Sequence, residues 1–262
     1  RGFFYVPAIG ERKLKEVGLT QQLLGEGVDM ERNYIQIQLS KEEYKHPETI
    51  PSIASISGFQ QESKILLGKE MSKEERIKVH EALTDEENYG NRIAIIGDPG
   101  AGKTTLLQYL AYQCTKQEGI IKPIPALITL TAYVKSEAKS ILSCLETLFE
   151  ENSFPKAKDY IEQQLKAGKF LILFDGFDEV EIDKRTELKR QIKAFANHPA
   201  YLQNKFVITS RPVRDAVFEN FRHLEVMPLT PQQRRMFLES KIDNHPGSDF
   251  NDKRCAELSK AI

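Results

Sequence analysis

The sequence predicts an α/β fold, three layers deep, with a central parallel sheet between two layers of helices. Three observations predict it. A β-branched apolar run, Ile93-Ala94-Ile95-Ile96, leads through a glycine-rich loop into a helical pattern. Apolar runs of strand length alternate with amphipathic helical stretches from there to about residue 227, the pattern of a parallel sheet covered on both faces. Three of those runs end in polar, charged segments, and in such sheets ligands sit at the carboxyl ends of the strands.

The loop after the first run is Gly97-Asp98-Pro99-Gly100-Ala101-Gly102-Lys103-Thr104-Thr105. It fits G-x-x-x-x-G-K-[ST], the phosphate-binding P-loop, and stands between a strand and a helix as that motif requires. Gly97, Gly100 and Gly102 let the backbone turn its N–H groups inward, where side chains would block a phosphate. The helix starting near Lys103 adds the positive end of its dipole. Lys103 is the point charge for the outer phosphates, and the Thr104 hydroxyl is a ligand for Mg²⁺.

The 262 residues allow one large α/β domain with attachments, and 37 Lys+Arg against 38 Asp+Glu leave a net charge of −1. No global charge draws the protein to nucleic acid or to an anionic membrane. No apolar run approaches the ~20 residues of a spanning helix. No signal peptide is visible, and the chain starts at Arg1-Gly2, as expected of a piece of a longer protein. Cys114, Cys144 and Cys255 form neither a metal spacing nor a disulfide framework, which suits a reducing, cytoplasmic setting.

In order, residues 1–90 form an N-terminal extension. Tyr34 to Leu39 alternate, with Ile35, Ile37 and Leu39 on one face, and predict a short half-buried strand. Pro47 to Gly58 reads as a loop, Ser72 to Leu83 as a helix, and Gly90-Asn91 as a break. Residues 91–227 are the nucleotide-binding core. Its first helix carries Leu106, Leu107, Leu110, Ala111 and Cys114 as one buried stripe. A strand follows at Ala126 to Leu130, then helices around Ser140–Glu151 and Lys156–Lys166, the second ended by Gly168.

Phe170-Leu171-Ile172-Leu173-Phe174 predicts a strand covered on both faces. It runs into Asp175-Gly176-Phe177-Asp178-Glu179. An amphipathic helix follows, with Leu188, Ile192 and Phe195 inward. Phe206-Val207-Ile208 is the next strand, ending in Thr209-Ser210-Arg211-Pro212, and Arg222 to Met227 a further one. Residues 228–262 open a C-terminal helical domain. Thr230-Pro231-Gln232-Gln233 has the form of a capping box for a helix to about Ile242. A last helix starts near Asp249, with Cys255, Leu258 and Ile262 on one face, and the chain stops inside that pattern.

Asp175, after a buried run, is placed to hold Mg²⁺ through its water shell. Asp178 and Glu179 are both candidates to orient a water in line with the γ-phosphate, and spacing does not separate them. Arg211 is a candidate cation for the γ-phosphate, with a structural pairing to a nearby carboxylate as the alternative. Lys184, Arg185, Lys189, Arg190 and Lys193 are interleaved with Glu181, Asp183 and Glu187, which predicts a solvated helix face rather than a nucleic-acid surface. The five histidines are scattered and make no metal site.

Together these segments resemble the NACHT family of P-loop NTPases, within the STAND class of signalling ATPases. The resemblance rests on Gly97 to Leu107, on Leu171-Ile172-Leu173-Phe174-Asp175-Gly176-Phe177-Asp178-Glu179, and on Thr209-Ser210-Arg211-Pro212, which is similar to the family's sensor-1 segment. Leu224 to Leu238 resembles the entry into its small helical domain. The resemblance implies adenine nucleotide, ATP or ADP, with Mg²⁺ as cofactors. It implies catalytic roles for Lys103, Asp178, Glu179 and Arg211, and Mg²⁺ held by Thr104 and Asp175. It also implies a slowly hydrolysing switch that exchanges ADP for ATP, self-associates and activates an attached effector in immune or antiviral defence. In the family the region before the P-loop can help wall the base. The alternatives are a turnover NTPase of another P-loop class and a nucleotide-independent scaffold. The P-loop alone does not separate ATP from GTP.

Overall fold

The computed structural model describes residues 36–45, 76–114, 123–152 and 154–236. Among these residues, seven strands form one sheet in the order β2-β1-β7-β3-β6-β5-β4. These are β1 (Gln38–Glu43), β2 (Arg76–Lys78), β3 (Arg92–Ile96), β4 (Ile124–Thr129), β5 (Phe170–Asp175), β6 (Lys205–Ser210) and β7 (Arg222–Val226). The run β7-β3-β6-β5-β4 is parallel throughout. The sheet as a whole is mixed, because β1 and β2 from the N-terminal stretch add antiparallel beside β7.

Strand residues alternate between two cores. Ala94, Ile128, Phe170, Ile172, Phe174, Phe206 and Ile208 face one of them. It is covered by α4 (Leu130–Lys135), α5 (Ile141–Glu151), α6 (Lys158–Lys166) and α7 (Ile182–Ala196). Ile93, Ile95, Leu127, Leu171, Leu173 and Val207 face the other, against α1 (Val79–Thr84), α2 (Glu86–Tyr89) and α3 (Lys103–Cys114). Helices on both faces of one sheet make the three-layer αβα arrangement expected of the sequence. Among the described residues, no helix is long and apolar enough to cross a membrane.

Several elements differ from expectation. Of the strand expected at Tyr34–Leu39, residues 34 and 35 lie outside the described residues; the early strand occupies Gln38–Glu43. Its polar second half is held by main-chain pairing to β7 and by an Arg222–Glu43 ion pair at 2.8 Å, neither of which hydropathy records. Of the helix expected at Ser72–Leu83, residues 72–75 lie outside the described residues, Arg76–Lys78 is a strand, and Val79–Thr84 is helical. β4 starts two residues early, at Ile124, and passes at Leu130 directly into α4, which no break residue announces. The Thr230–Gln233 capping box forms in both directions, at 2.8 and 3.2 Å, and residues 231–236 are helical. The expected loop at Pro47–Gly58, the helix beyond residue 236 and the helix from Asp249 lie outside the described residues. Cys114 is partly buried and Cys144 buried; burial pushes their thiols up to about 12 and about 11, so both are poor nucleophiles.

Asn204 joins the end of α6 to the starts of β5 and β6. It is fully buried, accepts from Phe170 N at 2.9 Å, and donates to Leu165 O and Tyr201 O at 2.7 and 2.9 Å. Asn204→Ala leaves Phe170 N–H without its side-chain acceptor, while Leu165 O and Tyr201 O keep the Gly168 and Asn204 main-chain N–H groups, so it should destabilise the fold by about 1–3 kcal/mol. Thermal melting tests this: a melting temperature equal to the parent's would mean that the amide is replaceable.

Candidate nucleotide site

Strands β3, β6 and β5 are adjacent, and their carboxyl ends bring the three candidate segments together. Gly97 N–H donates to Ser210 O at 3.1 Å, tying the start of the phosphate loop to the end of β6. Ala101 N–H donates to Asp98 O at 3.2 Å, closing a turn with Pro99 and then Gly100 at its centre. Gly100 has φ +78°, the left-handed value a type II turn needs there. Two of the glycines also meet side chains of the protein itself. At Gly102, with φ +84°, an added Cβ would stand 2.6 Å from Ile37 Cδ1; at Gly97 it would stand 3.1 Å from the Val226 side chain. These glycines let flanking side chains close on the loop as well as a phosphate.

Lys103 is the first residue of α3. Its amine donates to Gly97 O at 2.6 Å and Asp98 O at 3.0 Å, inside the loop. Burial lowers its pKa, opposed by the Asp178, Asp175 and Asp98 carboxylates, while Arg211 lowers it further. Asp98 also acts on Glu225 at the end of β7, whose carboxyl is pushed up by burial and by that neighbour. Thr104 and Thr105 are exposed on the first turn of α3, where helix N–H groups have no intrahelical partner.

Asp175 ends β5 and is buried. Its Oδ1 accepts from Thr104 Oγ1 at 3.2 Å and from Thr209 Oγ1 at 2.8 Å. Thr209 is fully buried and its hydroxyl also accepts from Gly176 N–H at 3.0 Å, so it fixes both the acid and the residue after it. The sequence marks Thr209 as the end of an apolar run; that it stands beside Asp175 comes from the fold. Both bonds fall on Oδ1. The donor set of one hydroxyl and one carboxylate suits Mg²⁺, which takes oxygen ligands, usually keeps several waters and is completed by phosphate oxygens. Among the described residues no cluster of three or more His, Cys, Asp or Glu offers an all-protein metal cage.

Beyond Asp175 the chain makes a 3₁₀ turn, Phe177–Glu179. Phe177 is fully buried and packs edge-on against Phe218, with ring centroids 5.0 Å apart. That anchor separates the two acids that follow. The Asp178 side chain is only 6% exposed: Oδ1 accepts from Arg211 N–H at 2.8 Å and Oδ2 pairs with Arg211 Nε at 2.9 Å. Glu179 is exposed, with its carboxylate over Gly176. Arg211 thus takes up the carboxylate pairing left open in the sequence, while 49% of its side chain stays exposed.

The basic run on α7 is not wholly a solvated face, which corrects that reading. Lys184 and Arg190 pair along the helix with Glu181 and Glu187 at 2.8 and 2.6 Å. Arg185, Lys189 and Lys193, four residues apart, turn to the segment after Arg211. Lys189 donates to Asp215 O at 3.1 Å and lies 5.5 Å from the Phe218 ring centroid; Lys193 pairs with Glu219 at 2.6 Å. The i, i+4, i+8 spacing was visible in the sequence, but its partner strip was not.

The sequence from residue 91 to 245, more than half of the chain, matches the NACHT domain. The chain belongs to the NACHT family. It is therefore a P-loop NTPase domain of a nucleotide-binding family. No curated protein matches it. Among solved structures, the NACHT chain is similar to replication initiator DnaA bound to AMPPCP and single-stranded DNA, at 17% identity over 70% of this chain and 55% of that one, TM-score 0.43. It is also similar to domain III of DnaA from Thermotoga maritima, at 16% identity over 69% of this chain and 73% of that one, TM-score 0.43. A third similar structure is a Walker-type ATPase of Pyrococcus abyssi, at 14% identity over 69% of this chain and 61% of that one, TM-score 0.46. The chain spans about half the length of the first of these.

Proposed function

We propose that this NACHT domain is the ATP-binding, slowly hydrolysing core of a signalling switch. The observation that carries the reading is the Arg211–Asp178 pair, 2.9 Å apart at the mouth of the phosphate loop. An arginine held by a carboxylate beside the site, yet half exposed, can trade that partner for a γ-phosphate. It then distinguishes ATP from ADP.

The other parts fit the same reading. The loop amides and the Lys103 amine hold the phosphates, the amine leaving the carbonyls of Gly97 and Asp98 for phosphate oxygens. Thr104 and Asp175 are the residues that would hold Mg²⁺, which neutralises negative charge on the β- and γ-oxygens when bound. Glu179 is the acid free to orient water toward the γ-phosphorus. Water's oxygen then bonds to phosphorus as the bond to the β-bridging oxygen breaks, giving ADP and phosphate. Family membership supports adenine as the base, and an oligomer that activates an effector as the output. Residues 228–262 would carry the motion as the start of a helical domain.

The test is to denature the purified protein and identify the nucleotide it releases. Bound ADP is the expected result; an empty site in protein that turns over ATP rapidly would replace the switch with an ordinary turnover enzyme. Sizing with ADP and with a non-hydrolysable ATP analogue then tests assembly: a larger species is expected with the analogue alone.

A further inference from the structure

We propose that Arg185 is a positioning residue that keeps the turn bearing Glu179 in register with the loop bearing Arg211. This rests on the reading of Glu179 as the water-orienting acid. Arg185 is the fourth residue of α7, where a cation works against the helix dipole. Its side chain is nevertheless only 13% exposed. It turns back off the helix: Nε donates to Val180 O at 2.8 Å and Nη2 donates to Asp178 O. Its third nitrogen, Nη1, lies 3.7 Å from Asp215 Oδ2, on the 3₁₀ turn Arg214–Ala216 that follows Arg211.

One guanidinium therefore serves two backbone carbonyls on one side of Glu179 and the other, and a carboxylate on the neighbouring loop. A planar fork of five donors can do this; an ammonium group has one nitrogen. The turn needs the help. Its own hydrogen bonds, Glu179 N to Gly176 O and Val180 N to Phe177 O, are long at 3.2 and 3.3 Å. Phe177 anchors its underside, and Arg185 holds the backbone that carries both acids. Because a displacement of about 1 Å can cost on the order of 100-fold in rate, such a tie matters for an acid that must aim a water. Lys189, one turn further along α7, grips Asp215 O and so continues the same connection.

The experiment compares the parent with Arg185→Lys, Arg185→Ala, Glu179→Gln and the Arg185→Ala/Glu179→Gln double variant, on the full chain. It measures single-turnover ATP hydrolysis, ADP·Mg²⁺ affinity and amide hydrogen exchange over residues 176–180. Both Arg185 variants should hydrolyse about 10- to 100-fold more slowly. Their ADP affinity should stay at the parent's value, and their exchange at 176–180 should be faster. The double variant should be no slower than Glu179→Gln alone. Parent-like rates, or losses that multiply in the double variant, overturn the proposal. If Glu179→Gln hydrolyses like the parent, the reading of Glu179 fails instead; unchanged exchange in the Arg185 variants then overturns the tie by itself.

Discussion

Replacing Lys103 with alanine should weaken ADP·Mg²⁺ binding on the order of 100-fold or more, about 3 kcal/mol, with the fold intact. The amine has two carbonyls for partners, and both belong to its own loop. Its hydrogen bonds are local to the loop, so the variant without nucleotide should melt close to the parent. What it loses is the cation that charge-assisted bonds to phosphate require, in a site where Asp178, Asp175 and Asp98 already crowd negative charge. Thermal shift reads both effects at once. A ligand that binds only the folded state raises its stability by RT ln(1 + [L]/Kd), so the parent should gain with ADP·Mg²⁺ and Lys103→Ala should not. An equal gain in both would remove Lys103 from the phosphate site.

Glu179→Gln should slow hydrolysis on the order of 10²- to 10⁴-fold and leave nucleotide affinity near the parent's, as expected when a group acts on water in the transition state. Asp178→Asn should behave differently. Asp178 is spent on Arg211 through both carboxylate oxygens, so its neutral analogue loosens the arginine rather than removing the water's partner. Its main effect should be on the ratio of ATP to ADP affinity. Isothermal titration with each nucleotide and single-turnover phosphate release separate the two. Full turnover by Glu179→Gln beside a large loss in Asp178→Asn would reverse the assignments.

How much of this was readable depends on how local the cause is. The phosphate loop, the β5 run and Asp175 declare themselves because a few consecutive residues carry the whole signal: glycines at fixed offsets, an unbroken apolar strand, an acid at its end. β2 escaped because Arg76-Ile77-Lys78 offers a single inward residue, too short for any period to register. Their position just beyond Asp175 supplied Asp178 and Glu179 as a pair. Only tertiary structure divides them, since Arg211 is 33 residues away from its partner in the chain. Thr209 and Arg185 act through neighbours that spacing does not reveal. Both sit in segments whose sequence reads adequately as a strand end and a charged helix.

The antiparallel strands at the edge of the sheet have a practical consequence. The family match begins at residue 91, but the folded unit does not. Gln38 O accepts from Met227 N at 2.9 Å, Gln36 O from Gln233 Nε2 at 2.7 Å, and Pro228 O from Arg76 Nη1 at 2.8 Å. A chain trimmed to residue 91 would bare the outer main-chain edge of β7, uncover the apolar face that Leu39, Ile77, Val79 and Leu83 close, and take Ile37 away from Gly102. An unprotected strand edge is a template for pairing with other chains. The polar end of β1, with Lys41, Glu42 and Glu43 exposed, thus serves partly as a seal against self-aggregation.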